Sequence, residues 1–251
     1  MAEVKTKEQI ERIREASRIL ASILEFVLPK VKAGMSTKEI DEIIEKKIIE
    51  NGAIPSCKGF YGFPACSCIS VNEEVTHGIP RKNKILKNGD IVDIDVVIEY
   101  NKAFSDMSRT IGIGKISNKA KKLIRVTREA FFKGLDKARA GNTLNDIGYA
   151  IQEYVEKNNC SVVRDYVGHF IGEQMHEDPE VPNYYINGND FVLQEGMVLC
   201  IEPMVNYGDY RVKTKGWDVK TADKSLSARF EDTILITKNG AVRLTKMNNE
   251  K

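Results

Sequence analysis

The sequence predicts an α/β fold of two similar halves with sheets meeting at the centre, and three recurrences predict it. Two helix starts, two alternating strands and two strand carboxylates each repeat in one register. Ala33-Gly34-Met35-Ser36 opens a run with Ile40, Ile44 and Ile48 at helical spacing, and Ala140-Gly141-Asn142-Thr143 opens another with Ile147, Ile151 and Val155. The offset between them is 107 residues. The same offset lays Gly89 to Asp95 onto Gly196 to Glu202, so that Asp95 falls on Glu202.

Each half opens with an amphipathic helix, one from about Lys7 to Leu28 and one from about Lys119 to Lys137. A second helix follows in each. Ser36 suits the N-cap of the first, with Glu39 completing a capping box, and that helix closes near Asn51-Gly52. Thr143 suits the N-cap of its counterpart, which closes near Asn158. The β-branched, alternating run after Gly89 reads as a strand, with Ile91, Asp93, Asp95 and Val97 on one face and Val92, Ile94, Val96 and Ile98 on the other. Asparagine tolerates turn conformations, so the chain is expected to reverse at Tyr100-Asn101, placing Asp95 directly opposite Asp106 and Glu99 opposite Lys102. In the second half Glu231 lies on a strand expected over Ala228 to Ile236. Glu202 and Glu231 are 29 residues apart against 11 for Asp95 and Asp106, and the extra residues form a loop with the only tryptophan, Trp217. We expect one catalytic domain over residues 1–251, its halves spanning roughly 5–115 and 116–248.

Composition narrows the function. Apolar residues make up 42% and charged residues 29%, the mixture of a globular protein. The 38 basic and 36 acidic side chains nearly cancel, which gives nucleic-acid binding no support. No stretch is long and apolar enough for a signal core or a membrane span. The five cysteines are odd in number and include no C-x-x-C, so neither a disulfide framework nor a zinc knuckle is indicated. The expected location is cytoplasmic.

Directly opposed strand residues have Cβ atoms about 4.5 to 5.5 Å apart, and like charges there repel. Buried carboxylates so placed need a proton or a metal; the alternative is an exposed hairpin with solvated acids. The repeat favours the metal, because four carboxylates from two hairpins make an oxygen-rich site for two divalent ions. The three histidines, His77, His169 and His176, all stand in segments flanked by glycine or proline, poor places for core packing and good ones for ligation and proton transfer.

Val75-Thr76-His77-Gly78-Ile79-Pro80, Asp95 with Asp106, Gly168-His169 to His176-Glu177-Asp178-Pro179, Ile201-Glu202-Pro203-Met204 and Phe230-Glu231-Asp232-Thr233 stand in one order. Together they resemble the type I methionine aminopeptidases over about residues 5 to 248. The resemblance implies the pita-bread fold, two α/β halves related by a pseudo-twofold with central antiparallel sheets around a dinuclear metal site. It implies removal of the initiator methionine from nascent polypeptides, with a small second residue preferred. Asp95, Asp106, His169, Glu202 and Glu231 would be the metal ligands, Asp106 and Glu231 bridging two ions of cobalt, manganese, iron or zinc. Glu202 would also be the general base, and His77 and His176 would hydrogen-bond the substrate. Phe60, Phe63, Cys68, Met175 and Trp217 would form the methionine pocket, although aromatic and cysteine residues are more often simply core. Asn72, Glu74 and Ser227 would bind a monovalent cation, sodium or potassium.

The chain departs from the family's usual pattern at three places. Phe170 replaces a glycine and is expected to reshape the pocket wall beside His169, Met175 replaces an aromatic, and Thr76 replaces a cysteine common in some members. The weighed alternatives are a proline-directed aminopeptidase of the same fold, which typically carries a further N-terminal domain, and a non-catalytic binding member, which would have lost ligands. Expected partners are nascent N-termini and, by consequence, the ribosome, with a monomer as the default.

Overall fold

The computed structural model describes residues 3–250. In the first half, helix α1 (Lys7–Val27) is capped by Thr6, whose hydroxyl accepts from Gln9 N while the Gln9 side chain accepts from Thr6 N. Ser36 and Glu39 form the predicted capping box of α2 (Thr37–Glu50). The short strands β1 (Ile54–Pro55), β2 (Ser67–Val71) and β3 (Glu74–Thr76) precede the long hairpin of β4 (Ile91–Tyr100) and β5 (Ala103–Gly112). In the second half α3 (Asn118–Leu135) and α4 (Leu144–Lys157), the latter boxed by Thr143 and Asp146, lead into β6 (Ser161–Val162), β7 (Gly168–Phe170), β8 (Glu177–Val181), β9 (Val198–Ile201) and β10 (Met204–Asn206). A hairpin of β11 (Val212–Lys215) and β12 (Asp218–Thr221) follows, then β13 (Ser227–Thr237) and β14 (Gly240–Arg243).

The 107-residue offset runs through the backbone pairing. Gly34 N donates to Leu86 O at 2.9 Å, and Gly141 N donates to Leu193 O at the same distance. Ile54 pairs with Glu99 in one half and Ser161 with Asn206 in the other. Both Gly34 and Gly141 have φ of +91°, a left-handed conformation that glycine adopts without penalty.

An 11-stranded sheet carries β4, β5, β13, β9 and β7 side by side, and β5 with β13 joins the halves through Arg109↔Phe230, Ser108↔Glu231 and Met107↔Asp232. Val92, Ile94, Val96 and Ile98 are fully buried against α1 and α2, as their shared face predicts. Burying each contributes roughly 1.5–3 kcal/mol. Leu199, Ile201, Phe230 and Ile234 form the equivalent core with α3 and α4. With these apolar faces turned outward to the helices, the opposite faces of the central strands are free to bring polar groups together. The loop that lengthens the second half is the β11–β12 hairpin, which pairs with β3 and holds Trp217 at its turn.

The β4–β5 turn lies one residue further along the chain than expected. The two turn residues are Asn101 and Lys102, with φ of +52° and +60°, so Asp95 pairs with Ser108, Asp106 with Val97 and Glu99 with Phe104. A two-residue turn with both centres left-handed matches strand twist, and lysine is not a residue that announces it. The slip moves the partner by two positions, so Asp95 and Asp106 remain on one face as diagonal neighbours.

Candidate metal centre

Asp95 on β4, Asp106 on β5, Glu231 on β13, His169 on β7 and Glu202 at the end of β9 converge, each no more than 9% exposed. Ser108 organises the convergence. It is in register with Asp95 on one side and Glu231 on the other, and its small side chain donates to Asp93 Oδ1 at 2.6 Å. Asp106 is tied to β13 by Thr233 Oγ1, which accepts from Asp106 N at 3.0 Å and donates to Asp106 O at 2.8 Å. Behind Glu231, Arg109 Nη1 donates to the Glu231 carbonyl and Arg109 Nη2 to Asp232 Oδ1 at 2.8 Å.

His169 Nδ1 lies 3.0 Å from Phe170 O. A carbonyl can only accept, so Nδ1 carries the proton and Nε2 turns its lone pair inward, 3.5 Å from Asp106 Oδ2 and 3.7 Å from Glu202 Oε1. Potential ligand atoms of Asp106, His169, Cys200 and Glu231 lie within 4.8 Å of one another. Burial, and then the charges of Glu231 and Asp106, push the Cys200 thiol well up, which keeps it protonated and a poor ligand.

Asp95 Oδ1, Asp106 Oδ1 and Glu231 Oε1 are buried with no hydrogen-bond partner among the described residues. Unpartnered buried carboxylate oxygens are costly, and burial first, then neighbouring carboxylates, holds Asp106, Glu202 and Glu231 well above the usual range. Crowded hard oxygen donors that lack a counter-charge of their own, joined by one imidazole lone pair, fit a divalent cation.

One cation is already there. Arg229, 5% exposed on β13, donates from Nη1 to Asp95 Oδ2 at 2.7 Å and to Thr76 Oγ1 at 3.2 Å. Its Nη2 lies 2.9 Å from Glu202 Oε2 and 2.5 Å from Glu231 Oε2. Burial opposes its charge, but Asp95, Glu202 and Glu231 more than offset that and raise its pKa. Neither Arg229 nor Cys200 was among the residues expected at the site, yet each stands two positions before an expected ligand on its strand or strand end, and so on the same face.

Asp93 accepts from Ser108 Oγ and Thr110 Oγ1, and burial raises its pKa from 3.8 to about 7. A folded value above the unfolded one means that the native state binds the extra proton, so stability is lost as pH rises across that interval. The Asp93→Asn variant lacks this ionisation. Urea denaturation of metal-free protein should show the variant gaining on its parent from pH ~4 to pH ~7; a constant gap would refute the assignment.

A cavity of about 740 Å³ opens onto the carboxylates. His77 follows β3 with φ of +55°, its ring 5.7 Å from Trp217, and His176 lies 4.4 Å from His169 and 5.3 Å from Phe60 between ring centroids. Burial holds all three histidines down to about 4, so each is neutral above pH ~6. Phe60, Phe63, Cys68, Met175 and Trp217 pack as one apolar wall of this cavity. Phe170 is not part of it, contrary to expectation. Strand alternation turns Phe170 away from His169, and it is buried in the second-half core 5.7 Å from Phe191.

Asn72, Glu74 and Ser227 meet where β2, β3 and β13 approach: Ser227 N donates to Asn72 O at 2.8 Å, and Ser227 Oγ is buried without a partner among the described residues. Glu74 accepts from Val71 N at 2.8 Å and pairs with Lys84, whose ammonium already supplies a positive charge there.

The model of metallopeptidase family M24 matches residues 11–238. A methionine aminopeptidase of Clostridium perfringens is 52% identical over 244 residues, covering 96% of this chain and 98% of the relative. The crystal structure of methionine aminopeptidase from Rickettsia prowazekii superposes with a TM-score of 0.95 at 43% identity, covering 98% of this chain and all of that one. A prolidase from Pyrococcus horikoshii OT3 is more distant, at TM-score 0.79 and 27% identity, and this chain spans 64% of it.

Proposed function

We propose, from the premise that the chain belongs to metallopeptidase family M24 and is a methionine aminopeptidase within it, that Asp95, Asp106, His169, Glu202 and Glu231 are its metal ligands. The carrying observation is the set of unpartnered buried carboxylate oxygens at one end of a cavity whose wall is aromatic and sulfur-bearing. Manganese, iron, cobalt and zinc all suit an oxygen-rich set with one imidazole. When bound, divalent ions polarise the scissile carbonyl and make water acidic enough to attack near neutral pH.

The protein's own groups do the rest. Glu202, its carboxyl pushed up by burial, takes the proton of the attacking water and returns it to the leaving amine. Neutral His77 and His176 each offer a ring N–H, one to the substrate amide and one to the developing oxyanion. Phe60, Phe63, Cys68, Met175 and Trp217 receive the methionine side chain, since thioethers pack well against aromatic edges and sulfur. A small second residue is favoured. Asn72, Glu74 and Ser227 are the residues we assign to a monovalent cation. The chain works as one catalytic domain and a cytoplasmic monomer, meeting new N-termini near the ribosome.

Metal-stripped protein reloaded with Mn(II), Fe(II) or Co(II) should release free methionine from a Met-Gly tripeptide and leave an Ala-Pro peptide intact. Preference for Ala-Pro, or no cleavage with any of these ions, would overturn the site assignment.

A further inference from the structure

Arg229 has a place in this centre that the peptidase reaction alone does not explain. Its guanidinium touches Asp95, Glu202 and Glu231, three of the five proposed ligands, and leaves Asp106 and His169 free. The carboxylate oxygens it uses are Asp95 Oδ2, Glu202 Oε2 and Glu231 Oε2. Those it leaves are Asp95 Oδ1, Asp106 Oδ1, Glu231 Oε1 and the Glu202 Oε1 that faces His169. The centre is thus divided into a side satisfied by the guanidinium and a side with unsatisfied acceptors.

We propose that Arg229 is a resident cation of the metal centre, so that the first divalent ion binds beside it on the Asp106–His169–Glu231 side and a second binds only by displacing it from Asp95. This rests on the metal-ligand assignment above. With the guanidinium in place, one divalent ion leaves the four ligand carboxylates one negative charge in excess, and a second ion would leave one positive charge in excess and would face the guanidinium across Asp95, Glu202 and Glu231. A like charge at close range in protein surroundings costs enough to weaken binding by tenfold or more. The side chain has an alternative acceptor at hand, since Thr76 Oγ1 already takes one of its bonds at 3.2 Å.

The test is equilibrium dialysis of the metal-stripped full chain against Mn(II), followed by electron paramagnetic resonance. The parent should take one ion tightly and the second at least about tenfold more weakly, the scale of one opposed charge. Its signal should stay that of isolated Mn(II) to one equivalent and broaden by exchange only beyond it. Arg229→Gln, which removes the charge, should tighten the second ion by about tenfold or more, and its metal-free form should melt below the parent. Arg229→Lys, which keeps the charge, should retain the separation of affinities. Two ions bound by the parent as tightly as by Arg229→Gln would overturn the role of Arg229 while leaving the ligands assigned. Failure of parent and variants alike to bind Mn(II), Fe(II) or Co(II) would overturn the metal centre itself.

Discussion

Replacing Glu202 by glutamine is expected to lower kcat by about three orders of magnitude while leaving KM within a few-fold, since general acid–base groups contribute roughly 10²–10⁴ in rate. Glutamine preserves the shape but cannot accept the proton. The position is otherwise well held. Asn183 Nδ2 donates to the Glu202 carbonyl at 3.2 Å, and the residue is 5% exposed, so the substituted amide will stand where the carboxylate stood. The wall proposed to receive the methionine side chain, which includes Phe63 and Trp217, lies elsewhere, so binding is expected to change little. Steady-state kinetics on Met-Gly peptides at saturating Mn(II), with bound metal quantified in the same samples, measures both quantities. A variant with full metal content and kcat within tenfold of the parent would remove Glu202 from the proton path.

Gly168→Ala should damage both stability and catalysis. A Cβ at this position would stand 2.3 Å from Cys200 O and 3.1 Å from Val181 O, backbone atoms of the strands on either side. The strand nearer the clash cannot retreat, because β9 is hydrogen-bonded to β13 on its other side. Forcing an extra carbon into packed structure costs about 1–3 kcal/mol or more, which in a chain of this size lowers Tm by roughly 2–12 °C. The strand that must shift also carries His169. Misplacing a ligand or positioned group by about 1 Å is enough to cost around 100-fold. Thermal unfolding and kcat are the two readouts. An alanine variant with the parent's Tm and rate would mean that the contact relaxes without moving His169.

Local signals made much of this molecule legible in the sequence. Ser36 with Glu39 marks a helix start because its hydroxyl and the glutamate satisfy backbone N–H groups that the helix leaves free, a rule that operates within four residues. The repeated strand faces were legible because alternation is enforced residue by residue. What was lost depended on backbone angles and on distant partners. The β4–β5 register turned on Lys102 adopting φ of +60°, which its side chain does not advertise. Phe170 looked like part of the pocket because it neighbours His169 in number, while the pleat sends it into the opposite layer. Arg229 read as an ordinary strand residue. Only when β13 is set between β5 and β9, with β4 beyond β5, is its guanidinium surrounded by acids from β4, β9 and β13 itself, up to 134 positions away. Alternation back from Glu231 by two was the one available hint.

The lone indole of this chain, at Trp217, stands edge-on to Phe63 and to His77. All tryptophan emission from the protein therefore originates at the mouth of its own working cavity. In the proposed pocket a methionyl side chain is expected to alter the polarity around that one fluorophore, with no second indole to dilute the signal. The molecule carries an intrinsic optical gauge of occupancy, so peptide association can be timed by stopped flow on unlabelled protein, even in variants too slow to turn over.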